Sequence, residues 1–359
     1  MSFLFALLLH CVLLQYTVLH AQPVAVLAEA VAAAALAAPL KQPPYHLTMC
    51  VMVHNEGKYL LEWRVSCVAR SRREELFTPS CRVLYHYLIG FQHFFIYDND
   101  SKDKTRVVLR PLIRRGLVTI LPWPGGARQG EQLNHCFVDG RHLTTWMANV
   151  DVDEYVVVLS QLARNLPWVN ASKPFALHAF LARATAYGGL NGTVGAIVLD
   201  RISFGPSGHK SAPKQLVMRA YTEREQPSMS PRPVGKVIVQ LGALAWMLSA
   251  HDAQMKPGFV KTTADLEEYS DATQRSRLDG VRINHYVTRS HGECIAKLTL
   301  GRWPDNMDWR KTNGKALCDR RLEGTPEWED LDNSMDVTLA ASPLPDIVRE
   351  MMVLLRAQP

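Results

Sequence analysis

The stretch at 146–158, WMANVDVDEYVVV, places three carboxylates, Asp151, Asp153 and Glu154, inside an otherwise apolar run. Residues two apart in an extended backbone lie on the same side, so Asp151 and Asp153 would face the same way. Two carboxylates forced together at the edge of a sheet repel each other and lose hydration unless a cation neutralises them. A hard divalent cation prefers oxygen ligands and can also bind a phosphate. The pattern predicts a divalent-cation site at Asp151 and Asp153, and the alternative is a solvated acidic turn.

Polar side chains also follow two earlier apolar runs. LTMCVMV (47–53) has the length and continuity of a strand buried on both faces, and FFIY (94–97) is a second such run. Because ligands of parallel sheets bind beyond the carboxyl ends of the strands, the polar residues at these ends are candidates for ligand binding. For Asp103, as for Ser101, capping of the next helix is the alternative. The candidates are Glu56, Asp98, Asn99 and Asp103.

The segments that must position these residues alternate between strand and helix patterns. RVVLRPLIRR (106–115) predicts a helix and LVTILPW (117–123) a third strand. QGEQLNHCFVDGRHLTTW (129–146) predicts another helix, and ANVDVDEYVVV (148–158) reads as strand, acidic turn and strand. This alternation is typical of a parallel sheet with helices on its faces, so the sequence predicts the α/β class.

The composition is that of an ordinary globular protein. Of 359 residues, 47% are hydrophobic and 21% charged, which suits one large domain or two small ones. The net charge of +6 is spread along the chain rather than gathered in a block. We therefore expect no nucleic-acid partner and at most a weak preference for anionic ligands.

The N-terminal segment has a different character. Residues 1–40 contain no Lys or Arg and a single acid, Glu29, and the first 19 residues are apolar enough for a short membrane span. This segment predicts either a signal anchor or a signal peptide cleaved near Ala21. The Ala-rich and Pro-containing stretch that follows reads as a stem. Both alternatives send the rest of the chain into the secretory pathway.

Two further features fit that compartment. Sequons occur at Asn99, Asn170 and Asn191, and the last two are plausible glycan sites because Asn99 belongs to a predicted ligand loop. Six cysteines lie outside the apolar leader, an even count that permits disulfides without requiring them. Scattered buried thiols are the alternative.

Several motifs occur in an order that resembles a known family. CVMVHNEGKYLLEW, YHYLIGFQHFFIYDNDSKDKT, VLRPLIRRGLVTILPWP and WMANVDVDEYVVV resemble the catalytic domain of glycosyltransferase family 92. ISFGPSGHKSAP, GKVIV and INHYVTRSHGECIAK continue the resemblance, which covers roughly residues 47–300. The family includes plant β-1,4-galactan synthases and animal galactosyltransferases.

The resemblance implies a GT-A type nucleotide-sugar-binding fold, with a central, mostly parallel mixed sheet flanked by helices. It implies a UDP-sugar donor, UDP-galactose in particular, a glycan or polysaccharide acceptor, and Mn²⁺ or another divalent cation as cofactor. It also implies a Golgi membrane protein of single-pass type II topology, with secretion after signal cleavage as the alternative. By position, Glu56 and Asp98 would face the uridine, and Asp151 and Asp153 would face the metal and the diphosphate.

A histidine far along the chain often completes the metal site of such enzymes. His285 follows the apparent strand VRI directly and is preferred, with His251 as the alternative and a structural core histidine as the other interpretation of each. Inverting transfer also needs a base for the acceptor hydroxyl. The sequence does not choose among Asp252, His209 and Glu154 for this role. Glu154 points to the face opposite Asp153, which favours either a contact to one of the metal ligands or structural pairing over metal ligation.

We expect three regions: residues 1–44 as leader and stem, 45–303 as the catalytic domain, and 304–359 as an unassigned extension. Residues 66–84 interrupt the family pattern, either as a surface loop closed by Cys67 and Cys81 or as a retained intron. Ser290 and Glu293 predict a capping box at the start of the helix that contains Lys297. The alternative functions are a catalytically silent carbohydrate-binding protein and a transferase that uses another nucleotide-sugar.

Overall fold

In the part of the chain that the computed structural model describes, nine strands form one sheet and two more form a hairpin. The described residues are 43–57, 82–125, 128–158, 176–213, 217–225, 235–270, 281–299 and 318–319. The strands of the sheet are β1 (Tyr45–Val53), β2 (His93–Asp98), β3 (Val118–Pro122), β4 (Thr144–Asn149), β5 (Glu154–Val158), β6 (Thr193–Ser203), β7 (Lys236–Gln240), β10 (Phe259–Thr263) and β11 (Val281–His285). The hairpin consists of β8 (Leu244–Met247) and β9 (Ala253–Met255). The helices are α1 (Arg82–Ile89), α2 (Thr105–Arg114), α3 (Gln129–Asp139), α4 (Ala176–Ala186), α5 (Val217–Ala220) and α6 (His291–Thr299), with a 3₁₀ turn at Gly140–His142.

The sheet is mixed, with parallel pairs in the majority. Its strand order is β3-β2-β1-β4-β7-β6-β11-β5, and β10 pairs with β6. The strands β3, β2, β1 and β4 are parallel, whereas β7 runs antiparallel to both β4 and β6, and β5 runs antiparallel to β11. The predicted α/β class with a central, mostly parallel mixed sheet is thereby confirmed.

The central strands are buried on both faces, as their continuous apolar sequences predict. Along β2, Phe94 and Ile96 pack into one hydrophobic cluster, while Phe95 and Tyr97 pack into a second cluster. This division follows the period of two along a strand, which sends alternate side chains to opposite faces. A disulfide between Cys50 of β1 and Cys136 of α3 links the sheet covalently to a helix that packs on it.

The helix predicted over residues 129–146 is shorter in the structure. It ends at Asp139, and the segment TTWMAN forms β4 instead. Its residues pair with β1 on one side and with β7 on the other. The extension of the helix was therefore wrong, because pairing with two neighbouring strands decides the conformation of a segment rich in β-branched and aromatic residues.

Several sequence predictions lie outside the described residues. These are the leader and most of the stem at 1–42, residues 66–81 of the predicted insertion with Cys67 and Cys81, the sequon at Asn170, and the C-terminal extension apart from residues 318–319. Residues 82–84, the end of the predicted insertion, begin α1. Within the described ranges, no helix combines the length and apolar character needed to cross a membrane.

Candidate functional site

The acidic stretch lies at the carboxyl ends of the parallel strands. Asp151 follows β4, and Glu154 begins β5. Between them the chain makes a turn, which is closed when the Glu154 N–H donates to the Asp151 carbonyl oxygen at 3.0 Å. The Glu154 carboxylate in turn accepts from the Asp151 N–H at 2.9 Å. The strand, turn and strand are as predicted, but Asp151 and Asp153 lie on a turn rather than on one side of extended backbone.

Lys236 neutralises the first aspartate. It is the first residue of β7 and is fully buried, and its ammonium lies 2.8 Å from Asp151 Oδ2 and 3.3 Å from Glu154 Oε2. Gln129, at the start of α3, approaches the other Asp151 oxygen at 3.5 Å. Burial alone would raise the pKa of Asp151, but Lys236 lowers it below its ordinary value. Asp151 is therefore ionised at neutral pH.

Three basic residues surround the second aspartate. The Lys297 ammonium lies 2.5 Å from Asp153 Oδ2, and His285 Nε2 lies 3.5 Å from Asp153 Oδ1. Arg289 donates to the Val152 carbonyl oxygen nearby. Burial would raise the pKa of Asp153, but Lys297, His285 and Arg289 hold it well below its ordinary value. Asp153 is also ionised at neutral pH.

This arrangement differs from the one predicted from the sequence. We expected Asp151 and Asp153 to be an unpaired charge pair that needs a metal ion for neutralisation. Lys236 and Lys297 supply that charge from elsewhere in the chain. The aspartates are thus stable as anions without a metal, so only the chemistry and spacing of their donor atoms indicate a cation site.

The donor atoms fit a divalent cation in part. Ligand atoms on one octahedral cation with bonds of about 2.1 Å lie about 3 Å apart, close to the 3.5 Å between Asp153 Oδ1 and His285 Nε2. No three His, Cys, Asp or Glu side chains within the described ranges are close enough to hold a metal ion as they stand. Asp151 would have to turn toward the pair to become a third ligand. His251 instead contacts the Gly235 carbonyl oxygen at 2.8 Å.

The candidates after β2 lie at the same edge of the sheet and shape its loops. Asp98 is buried, and its carboxylate accepts from Arg106 Nε at 2.8 Å and from the Ser101 N–H at 3.0 Å. The Asn99 amide donates to the Trp123 carbonyl oxygen in the loop after β3. Asp98 and Asn99 therefore have defined structural contacts at the place where a ligand was predicted.

Asp103 joins the loop after β1 to the start of α2. One carboxylate oxygen accepts from the Gly57 N–H at 2.7 Å, and the other accepts from the Thr105 N–H at 3.0 Å. The second contact ties Asp103 to the first residue of α2, but Lys104 occupies the N-cap position and makes no side-chain capping hydrogen bond. Gly57 has no room for a side chain, because a Cβ atom there would lie 2.7 Å from the Thr105 nitrogen. Glu56 is half-buried next to this junction.

The three candidates for the base occupy different environments. Glu154 is buried and bonded within the acidic turn, which agrees with structural pairing. His209 contacts the Ala220 carbonyl oxygen at 2.9 Å, a contact within the fold. Asp252 has a partly exposed carboxylate that pairs with Lys261 at 2.7 Å. The Asp252 side chain is 42% exposed, whereas that of Glu154 is 1% exposed.

The helix α6 presents Lys297 to the site and is fixed at its N-terminus. Ser290 Oγ lies 2.6 Å from the Glu293 carboxylate, and the Glu293 N–H donates back to Ser290 Oγ at 3.3 Å. This confirms the predicted capping box. A disulfide joins Cys294 to Cys318. The sequence singled out Lys297 only as part of this helix, and it gave no signal that Lys297 or Lys236 would contact the aspartates.

Comparison with known proteins identifies the family. The family model of glycosyltransferase family 92 matches residues 82–293, more than half of the chain. A family 92 protein of Arabidopsis thaliana is 29% identical over 278 residues, which cover 77% of this chain and 41% of the relative. One of Ricinus communis is 26% identical over 231 residues, covering 62% and 34%. The chain thus spans about a third to two fifths of the length of these relatives.

Two solved structures are also similar, though at low scores. A mannosyltransferase from Pyrobaculum calidifontis, in complex with GDP-Man and Mn²⁺, has 16% identity and a TM-score of 0.36, with 90% of this chain and 78% of that chain covered. S. aureus TarS 1-349 with UDP-GlcNAc has 11% identity and a TM-score of 0.32, with 87% of each covered. TM-scores of this size support no conclusion about function. The family match, by contrast, is decisive: the chain belongs to glycosyltransferase family 92.

Proposed function

We propose that this protein is a GT-A type glycosyltransferase that transfers a hexose, galactose, from a UDP-sugar to a glycan or polysaccharide acceptor. One observation carries the proposal. In a member of a glycosyltransferase family, two ionised aspartates lie at the carboxyl edge of the parallel strands, with a histidine beside one of them. In such sheets this edge is where ligands bind.

Asp151, Asp153 and His285 are the proposed ligands of a divalent cation, Mn²⁺. When bound, the cation would stabilise the negative charge that develops on the diphosphate leaving group. Lys236 has a supporting role, because its buried ammonium lies 2.8 Å from one Asp151 oxygen and lowers the pKa of this carboxyl, which keeps it ionised. These groups are supported by their donor chemistry and by the closeness of Asp153 and His285.

The loops after β1 and β2 form the proposed boundary of the nucleotide site. Ser101 Oγ accepts from the Asn55 N–H at 2.9 Å, and the Lys102 N–H donates to the Asn55 side chain. These reciprocal contacts join the two loops, so their backbone is held before a ligand arrives. Preorganised backbone of this kind lowers the entropy cost of binding. Glu56 and Asp98 lie at the ends of these strands and stay the proposed neighbours of the uridine.

We also propose that the folded region lies in the lumen of the Golgi, attached through the N-terminal segment, with secretion after cleavage as the alternative. The disulfides Cys50–Cys136 and Cys294–Cys318 suit an oxidising compartment. Asn191 is exposed in the turn before β6, where a glycan could be attached. Non-reducing peptide mapping of protein from the secretory pathway should recover both linked peptide pairs. Free thiols at all four positions would contradict this proposal.

A donor panel tests the function. The full chain is incubated with UDP-galactose, UDP-glucose, UDP-N-acetylglucosamine and GDP-mannose, with Mn²⁺ or with a chelator, and the release of nucleotide is measured. We expect release from UDP-galactose that requires Mn²⁺ and falls about 100-fold or more in Asp151→Asn and Asp153→Asn, because each removes an anionic ligand of the cation that stabilises the developing negative charge. Asp139→Asn is the matched control, since this exposed carboxylate pairs with His135 at the far end of α3.

Each outcome of the panel has a distinct meaning. Release from another nucleotide-sugar alone contradicts the galactosyl donor. Equal release with the chelator contradicts the cation. No release from any of the four donors contradicts the enzyme and supports the catalytically silent alternative.

A further inference from the structure

The two lysines that contact the aspartates differ in how freely their side chains can move. Lys236 is fully buried and contacts two carboxylates at once, so its ammonium has no room to leave. Lys297 lies in the last turn of α6, and its side chain is 33% exposed. One lysine is therefore a fixed part of the fold, whereas the other has solvent into which it can move.

We propose that Lys297 is an exchangeable counter-ion of the site. It neutralises Asp153 while no divalent cation is present, yields this carboxylate to the cation, and then places its ammonium on the diphosphate of the donor. This inference rests on the proposed function, because it concerns the same cation and the same nucleotide-sugar.

The charges of the cluster support the exchange. Three carboxylates face three permanent cations, so the cluster is close to neutral as it stands. The carboxylates are Asp151, Asp153 and Glu154, and the cations are Lys236, Lys297 and Arg289. A divalent cation added to this cluster leaves an excess of two positive charges. The diphosphate of a nucleotide-sugar carries two negative charges, so cation and donor are expected to bind together, and each should raise the affinity for the other.

The geometry allows Lys297 to move without moving the helix. The capping box of Ser290 and Glu293 fixes the start of α6, and the disulfide from Cys294 fixes its first turn. The backbone of Lys297 therefore stays in place, while its flexible four-carbon stem can redirect the ammonium by several ångström. Asp153 Oδ2, which the ammonium now contacts at 2.5 Å, would then be available to the cation.

Lys297→Met tests the proposal, because the proposal predicts that this variant binds Mn²⁺ more tightly and UDP more weakly. Without nucleotide, the variant should bind Mn²⁺ about tenfold more tightly than the wild type, since a competitor for Asp153 is gone. With Mn²⁺ present, it should bind UDP about tenfold more weakly, since a charge-assisted contact to the diphosphate is lost. Mn²⁺ affinity is measured from the electron paramagnetic resonance signal of the free ion, and UDP affinity by calorimetry, both on the full chain.

Two variants act as controls. Lys261→Met removes a lysine of similar exposure, 26%, which pairs with Asp252 at 2.7 Å, and it should leave both affinities unchanged. Lys297→Arg keeps the charge and should keep both affinities within about threefold of the wild type. If Lys297 had only a structural role, Lys297→Met would instead weaken the binding of both Mn²⁺ and UDP.

A second measurement needs no variant and covers the case in which Lys297→Met fails to fold. The reactivity of Lys297 toward an acetylating reagent is followed by peptide mass spectrometry in the wild-type chain. Mn²⁺ alone should increase this reactivity, and Mn²⁺ with UDP should suppress it again. Reactivity that Mn²⁺ leaves unchanged overturns the exchange.

The outcomes separate this inference from the proposed function. A wild type that binds neither Mn²⁺ nor UDP overturns the proposed function. A wild type that binds both, with affinities in Lys297→Met that are unchanged or shifted in the same direction, overturns only the role of Lys297.

Discussion

Replacing Lys236 by methionine should destabilise the fold strongly. Burial alone would lower the pKa of Lys236, but Asp151 and Glu154 raise it above its ordinary value, so the ammonium is charged. Methionine has a similar shape and no charge. Asp151, whose side chain is 37% exposed, can be hydrated again, whereas the 1% exposed side chain of Glu154 keeps its charge in the interior without this counter-ion. Breaking a buried ion pair in this way costs about 3–5 kcal/mol, a large part of a total stability of about 5–15 kcal/mol.

Urea unfolding followed by circular dichroism measures this cost. The double variant Lys236→Met/Glu154→Gln should recover most of it, because the buried charge is removed together with its partner. Lys256→Met is the control: this exposed lysine contacts the Gly242 carbonyl oxygen, and its loss should change the stability by no more than about 0.5 kcal/mol. A cost below about 1 kcal/mol for Lys236→Met, or an added cost from Glu154→Gln, would refute the reasoning.

Three further predictions concern the cap of α6, the loop after β1 and two half-buried histidines. Ser290→Ala should cost about 1 kcal/mol in urea unfolding, since it removes the cap of α6; an unchanged midpoint would contradict it. Gly57→Ala should cost about 1–3 kcal/mol by the same assay, because its Cβ would lie 2.7 Å from the Thr105 nitrogen, and a neutral effect would show that the loop has room. Burial lowers the pKa of His46 and of His178 in the folded chain below the ordinary value of 6.5. The unfolded chain therefore takes up protons first as the pH falls below about 6.5, and the free energy of unfolding decreases. His46→Gln should flatten this fall in a series of urea midpoints against pH, and an identical pH dependence would disprove the assignment.

The features that were predicted correctly depend on local sequence. The strands β1 and β2 follow from apolar runs of the right length, and the acidic turn follows from a polar break between two such runs. The capping box of Ser290 and Glu293 is a four-residue pattern whose two contacts need no other part of the chain. His285, preferred to His251 as a metal ligand, lies 3.5 Å from Asp153, and its role as a ligand stays a prediction.

The features that were missed depend on distant parts of the chain. Lys236 meets Asp151 across 85 residues, and Lys297 meets Asp153 across 144. Such pairs exist only once the sheet is assembled, and the sequence around a lysine in an apolar strand does not predict which carboxylate it will contact. The disulfide of Cys50 has the same character, since its partner is 86 residues away. The error at the end of α3 also belongs here, because strand pairing on both sides overrode a local helical pattern.

Calorimetric titration of the full chain with UDP, in the presence of Mn²⁺ and of a chelator, tests the central claim most directly. If Asp151 and Asp153 hold a cation against a nucleotide diphosphate, UDP binds with Mn²⁺, binds far more weakly with the chelator, and does not bind measurably to Asp151→Asn/Asp153→Asn under either condition. UDP that binds equally well with the chelator, or to the double variant, would contradict the claim.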